Sequence, residues 1–416
     1  MKKFTGILLL MIGFGGCFLS RQVTQDTILK DELLITESTL PEEQDESAWS
    51  GQEENGLPGE EGEIEASTGL SQEKKADLMR QQQSLYAFST LQVTEQNLYV
   101  EMLYALTHYV EEMEVSTTDT EEIDRIFQCV MLDHPEIFYA DGYSFVKYTL
   151  GEEVKKITFT GTYLYSPEER QKREALIEER VSQILSRLPE EASDYERVKF
   201  VYEWVIHHTE YDREARDNQN ICSVFLEGRS VCQGYAKAAQ FLLQRLNLPS
   251  VLVIGTVDNA EGHAWNLVSV DNAWYYLDTT WGDASYLVKQ ENPNPSEHIP
   301  DINYDYLCVT TGELQRTHSF SDLVPLPECK AMEANYYVRE GAYFAEADWQ
   351  QLENLAARYR EEKRETLTLK CKTEEVYQEM MNELLEEQRI FDYLKPEGDS
   401  ILYTDSPKQL SITFWM

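Results

Sequence analysis

The chain has 416 residues, with 75 acidic side chains against 36 basic ones and a formal net charge of −39. That length holds two or three domains with apolar cores of their own, so no disulfide or metal staple is needed for folding. A field of that sign repels phosphate backbones and anionic membrane surfaces, which argues against nucleic acid as a partner.

In chain order, Lys2 and Lys3 precede a short apolar run, Ile7 to Phe14, then Gly15, Gly16 and Cys17. The run is too short for a comfortable membrane span and reads as an export signal. The stretch resembles a bacterial lipoprotein signal (residues 1–17), in which the cysteine after the small residues is lipidated and becomes the mature N-terminus; Phe14 stands where such signals usually carry an aliphatic residue. A plain secretory signal with an incidental cysteine is the alternative. From Asp31 to Glu73 there is no Lys or Arg, and Glu recurs among Ser, Gly, Gln and Pro, so residues 18–84 read as a disordered acidic spacer.

Order is expected from about Leu85. Leu98, Met102, Tyr109 and Met113, then Ile123, Ile126, Phe127 and Val130, predict two helices. Runs around Phe138–Thr149 and Val154–Tyr163 predict a strand pair, giving an α+β module over 85–190. Ser166-Pro167 with Glu169, and Ser193 with Glu196, are helix starts in which the hydroxyl caps the first turn and a carboxylate can return the cap. The first helix is expected to run to Leu188 and the second to end near His208.

The chemistry falls in the next segment. Cys232 lies between a Glu227-Gly228 turn signal and an apolar stripe of Tyr235, Ala238, Ala239, Leu242 and Leu246, which predicts the thiol at a helix N-terminus. There the backbone dipole favours thiolate, and unpaired amides are available for an oxyanion. A buried cysteine acting as a small hydrophobe is the plain alternative. His263 and Asp278 lie on two strand-like runs separated by Asp271-Asn272. If those two residues form the hairpin turn, Val270 pairs with Ala273 and His263 faces Thr280. Asp278 then points to the same sheet face, a diagonal neighbour about 7–8 Å away between backbones. A turn with an odd number of residues would send the two side chains to opposite faces.

Three segments, Val231-Cys232-Gln233-Gly234-Tyr235-Ala236, Gly262-His263-Ala264-Trp265-Asn266 and Leu277-Asp278-Thr279-Thr280-Trp281-Gly282-Asp283, resemble those of the transglutaminase-like superfamily, particularly its bacterial extracytoplasmic members. Coverage is good from Ser193 to Phe320; Tyr304–His318 and His134-Pro135-Glu136 are similar to flanking segments of the same relatives. The resemblance implies an α+β fold with a transglutaminase-like, papain-like core, in which a helix carrying the cysteine packs on an antiparallel sheet carrying the histidine and aspartate. It implies a triad of Cys232 as nucleophile, His263 as base and acid, and Asp278 as orienter, acting on peptide or protein amides without a cofactor. The triad alone does not separate transfer of the acyl group to water from transfer to an amine; hydrolysis is slightly favoured, and a non-catalytic peptide-binding or envelope-organising module on the same fold is the alternative.

Tyr211, Gln233, Tyr235 and Trp265 are the expected substrate-binding residues, with core packing as the alternative for the aromatics. The adjacent pair His207-His208 diverges around a helix, and the cysteines show no metal-ligand spacing, so no metal site is expected. The expected boundaries are 191–320 for the catalytic domain and 321–416 for a small α/β accessory domain, with helices at Asp348–Arg360 and Thr373–Gln388 and a closing strand at Ser411–Trp415.

Overall fold

The computed structural model describes residues 2–6, 70–258, 261–284, 300–395 and 400–416. Order begins earlier than the composition implied. A helix spans Gln72–Gln82, capped by Ser71, and Leu70 is buried. Lys75 reaches the buried Glu101 at 2.6 Å, so the end of the acidic segment is part of the fold. The spacer reading therefore fails over 70–84, where this first cationic stretch finds a carboxylate partner; residues 7–69 lie outside the described residues.

The upstream module is built on helices Val93–His108 and Thr120–Asp133. Tyr109 and Met113, expected on the first of these, lie beyond it, because Tyr109 takes a left-handed conformation that stops the helix and Met113 opens a short strand. The module's sheet has the order β1 (Lys2–Gly6), β3 (Ala140–Leu150), β4 (Glu153–Tyr163), β2 (Met113–Val115). Buried Asp133 ties the module together, accepting from the amides of Ala87 and Phe88 and from the hydroxyl of Tyr99. A carboxylate taken out of water needs such a set of donors.

Both expected helix starts are present. Pro167–Leu185 is capped by Ser166, and Asp194–His208 by a reciprocal box in which the Ser193 amide donates to Glu196. The first ends at Leu185, three residues before the expected stop.

The central sheet has the order β10 (Leu307–Val309), β9 (Ala273–Leu277), β8 (Glu261–Val270), β7 (Ser250–Val257), β11 (His318–Phe320), all antiparallel. The helix Cys232–Arg245 packs on it, fixed where Asn266 Nδ2 donates to the carbonyl of Ala236 at 3.0 Å. On its other side Gln240 and Gln244 donate to the carbonyls of Leu132 and Asp133 in the upstream module.

These contacts have a consequence for domain organisation. One continuous apolar core runs from Leu70 to Ala334, joining the upstream module to the central sheet, while a second gathers Tyr337 to Phe414. The second core belongs to a sheet of order β12 (Tyr343–Phe344), β13 (Thr366–Cys371), β15 (Ser411–Trp415), β14 (Tyr403–Ser406), with helices Trp349–Glu361 and Glu374–Met381. The latter continues as a wider π-helical segment over Asn382–Glu386, so the helical run ends two residues before the expected Gln388. Among the described residues no helix is long and apolar enough to cross a membrane.

Candidate active site

Cys232 is the first residue of its helix, and the preceding Val231 is extended. The local geometry explains the glycine two positions on. A Cβ at Gly234 would lie 1.9 Å from Ser230 Oγ and 2.8 Å from the carbonyl of Asn218, so only glycine lets the helix start this close to the loop before it. That loop is held by Ser230 Oγ, which donates to the Asn218 carbonyl at 2.7 Å and bonds Ser223 Oγ at 2.7 Å.

The histidine and aspartate arrive on a hairpin with the expected register. Val270 faces Ala273 and Asn266 faces Leu277, around a turn in which Asp271 and Asn272 have φ of 51° and 65°. Two positive φ values are the signature of the two-residue turn that matches strand twist. Pairing stops at Leu277, and Asp278 then leaves the strand to cap the short helix Thr279–Gly282. The contact with His263 is therefore made from a helix cap rather than from a diagonal strand position, and it is short: His263 Nε2 to Asp278 Oδ2 is 2.7 Å.

Asp278 is the most heavily bonded side chain of the site. Its Oδ1 accepts from the amides of Thr280 and Trp281 at 2.9 and 3.0 Å, and its own amide donates to the carbonyl of Tyr306. Its Oδ2 meets a second imidazole, His318 Nε2, at 3.0 Å. Burial opposes the charge on Asp278, but the two histidines outweigh it and hold the carboxyl well below its ordinary range. Burial likewise opposes a charge on His263; Asp278, together with a hydrogen bond and charge interaction with Cys232, prevails and raises it to about 10. Since Nε2 is committed to Asp278, the nitrogen left for the thiol is Nδ1. His318 moves the other way, lowered by burial against its own contact with Asp278.

Burial pushes Cys129, Cys222 and Cys371 up to about 12, Cys329 to about 11, and Cys308 higher still. All six described cysteines are free, so Cys222 and Cys232 are not joined.

The four residues expected to bind substrate are placed differently from one another. Tyr235 is fully buried, its hydroxyl donating to the Thr209 carbonyl at 2.6 Å, and Trp265 is fully buried against the rings of His263, His318 and Phe320. Both are core residues that present no face to a peptide: packing against the two imidazoles takes up the surface of Trp265, and Thr209, Asp283 and Tyr211 take up that of Tyr235. Tyr211 is half-buried beside Tyr235, and Gln233 follows the thiol in the first helical turn with 4% of its surface exposed. His318 is the residue the sequence reading passed over as a site residue.

His263, Asp278 and His318 also form the one group of metal-ligating side chains with ligand atoms within 4.8 Å of each other among the described residues. Both Nε2 atoms lie at hydrogen-bond distance from the same carboxylate oxygen. A cation there would displace the two N–H donors from Oδ2, and the proton arrangement satisfies all three groups without one.

Residues 183–279 match the model of the transglutaminase-like superfamily core, a span that contains Cys232, His263 and Asp278 and ends before His318. Over 119 residues the chain is 32% identical to the kyphoscoliosis peptidase of Mus musculus and 30% identical to that of Homo sapiens, covering 24% of this chain and 18% of each relative. The chain thus spans under a fifth of the length of these curated relatives, which is 18%. A crystal structure of a TGase is similar at 18% identity and a TM-score of 0.24, over 34% of this chain and 44% of that one. Residues 183–279 of this chain thus carry a transglutaminase-like domain.

Proposed function

We propose that the chain is a thiol enzyme acting on peptide or protein amides through an acyl-enzyme on Cys232. Cys232 gives its proton to His263 as Sγ bonds to the carbonyl carbon, the C–N bond breaks, and the departing amine takes that proton from His263. Water, or a second amine, then bonds to the thioester carbon while giving a proton to His263; the C–S bond breaks and the proton returns to Cys232. Hydrolysis is slightly favoured over transfer. The observation that carries the reading is the 2.7 Å bond from His263 to Asp278 beside a helix-start thiol. Incubating the protein with a mixed peptide library and a primary amine, followed by mass spectrometry, separates cleavage, deamidation and amine incorporation; no altered peptide under any condition would reject the proposal.

One observation favours a second reading, a non-catalytic module that binds peptides or organises the cell envelope. Cys232 is 2% exposed and His263 5%, so substrate reaches the thiol only if the surface above it opens. In that case iodoacetamide would leave Cys232 unmodified in the folded protein.

The reading also includes export and a lipid on Cys17, supported by Lys2, Lys3, the apolar run and the glycines before the cysteine. Processing there would remove Lys2–Gly6, which pairs with Phe145–Thr149 at the edge of the upstream sheet, and leave that edge bare. Mass spectrometry of the membrane-fraction protein is expected to find a mature N-terminus at a lipidated Cys17. A retained Met1, or an unmodified cysteine, would reject the anchor.

A further inference from the structure

A chain of buried hydrogen bonds links the accessory sheet to the candidate triad. Lys370, on β13, is fully buried and donates from Nζ to Asp305 Oδ1 at 2.9 Å and to Gln409 Oε1 at 3.4 Å. Gln409 Nε2 donates to Thr317 Oγ1 at 3.3 Å and to the Tyr306 hydroxyl at 3.1 Å. Thr317 Oγ1 lies 2.8 Å from His318 Nδ1, and His318 Nε2 lies 3.0 Å from Asp278 Oδ2. Asp305 is fixed in turn by Ser411 Oγ at 2.6 Å.

The chemistry of each group sets the direction of every proton. An ammonium only donates, so the oxygen of the Gln409 amide faces Lys370 and its NH₂ faces Thr317. With its oxygen already accepting, the Thr317 hydroxyl has its proton free for His318 Nδ1; its other acceptor, the Leu314 carbonyl, is at 3.4 Å. An ionised carboxylate only accepts, so His318 Nε2 carries a hydrogen. Both conditions are met by one species, neutral His318 protonated on Nε2.

We infer that Lys370, Gln409 and Thr317 form a relay by which the accessory domain holds His318 neutral, making His318 a positioning residue that steadies Asp278 without competing with the charge on His263. This rests on the proposed role of the triad. The rings of His263 and His318 are 5.5 Å apart, so a cation on His318 would work directly against an imidazolium on His263. The other titratable groups facing His318 are Asp278, Tyr306 and Asp258, the last paired with Lys408. The span matched to the family model ends at residue 279, before Asp305, Thr317, His318, Lys370 and Gln409.

Gln409→Glu tests the relay by reversing it. The introduced carboxylate keeps the partner for Lys370, but now accepts from the Thr317 hydroxyl instead of donating to it. Thr317 Oγ1 then accepts from His318 Nδ1, and His318 gains a proton. The readout is the rate of Cys232 alkylation by iodoacetamide between pH 5.5 and 8.5, followed by peptide mapping. It needs no substrate, so a failed search for turnover does not affect it. The rate at pH 6 is expected to fall about tenfold relative to the unaltered protein, the scale on which residues behind a reactive group act. Near pH 8.5 the two rates should approach each other as His318 loses its proton. Imidazole nitrogen NMR of the same variant should show Nδ1 of His318 protonated at pH 6, against bare Nδ1 in the unaltered protein. Gln409→Leu, which removes the donor to Thr317 together with the bonds to Lys370 and Tyr306 but introduces no acceptor, should shift the profile in the same direction by less. A loss equal at all pH values, or unchanged His318 nitrogens in both variants, would overturn the relay and leave these residues a purely structural seam.

Discussion

Cys232→Ala is expected to lower turnover of a cleaved or modified peptide by about 10⁴-fold, with little change in KM, because it removes the atom that bonds to the substrate while leaving the helix start intact. The thiol side chain is small, and the packing around it is set by Gly234, Ser230 and Asn218 rather than by sulfur. Thermal unfolding of the variant should therefore resemble that of the unaltered protein. The substitution also removes one of the contributions that raise His263 towards about 10, so its imidazole should titrate lower in the variant by proton NMR. Retained turnover, in a preparation shown to carry the substitution, would exclude Cys232 as the nucleophile.

Asp278→Asn is expected to be as damaging to turnover and also costly to the fold. The carboxylate accepts four hydrogen bonds, two from imidazoles on Oδ2 and two from backbone amides on Oδ1. An asparagine that keeps its oxygen on the cap turns an NH₂ toward two imidazole N–H groups. His263 must then move its hydrogen to Nδ1, facing Cys232, where it can no longer take the thiol proton. The expected loss in kcat is about 10⁴-fold, with about 2–4 kcal/mol of stability lost as buried groups go unpaired. The pH dependence of stability should change as well. Asp278 is held below its ordinary 3.8, so its contribution is present above that value and lost as pH falls through the folded titration. His263 is raised from 6.5 to about 10, so its contribution is full below 6.5 and fades as pH rises towards 10. Both slopes should flatten in the variant, read from urea midpoints across pH. Unchanged slopes would mean that the pair does not carry charge in the folded protein.

What the sequence revealed follows from how far apart in the chain each contact lies. The hairpin bearing His263 and Asp278 is local, and Asp271-Asn272 fixed its register because both residues tolerate positive φ. The helix starts at Ser166 and Ser193 were equally readable, each resting on a hydroxyl and the amide three residues on. His318 gave no such signal. Its strand is three residues long, too short for periodicity, and its partner Asp278 lies 40 positions earlier. Lys370 and Gln409 were hidden for a different reason: a lysine on a strand reads as a solvated position, and only the packing of its sheet against the Tyr304–Tyr306 turn shows it buried against Asp305. Tyr235 and Trp265 were misjudged because aromatic residues beside a nucleophile have the same pattern whether they line a cleft or support it. Nor does any local feature announce that one apolar core crosses the expected boundary near residue 190, or that Gln240 and Gln244 bond across to Leu132 and Asp133.

The most direct test of the central claim is competitive alkylation of the native protein with limiting iodoacetamide at pH 7, followed by mapping of the modified cysteines. Burial holds Cys129, Cys222, Cys308, Cys329 and Cys371 as thiols, whereas Cys232 starts a helix and interacts with His263. The expected result is modification of Cys232 ahead of the other five, with loss of the peptide chemistry in step. Modification of any other described cysteine first, or an unmodified Cys232 in folded protein that still turns over peptides, would contradict a nucleophilic thiol at this site.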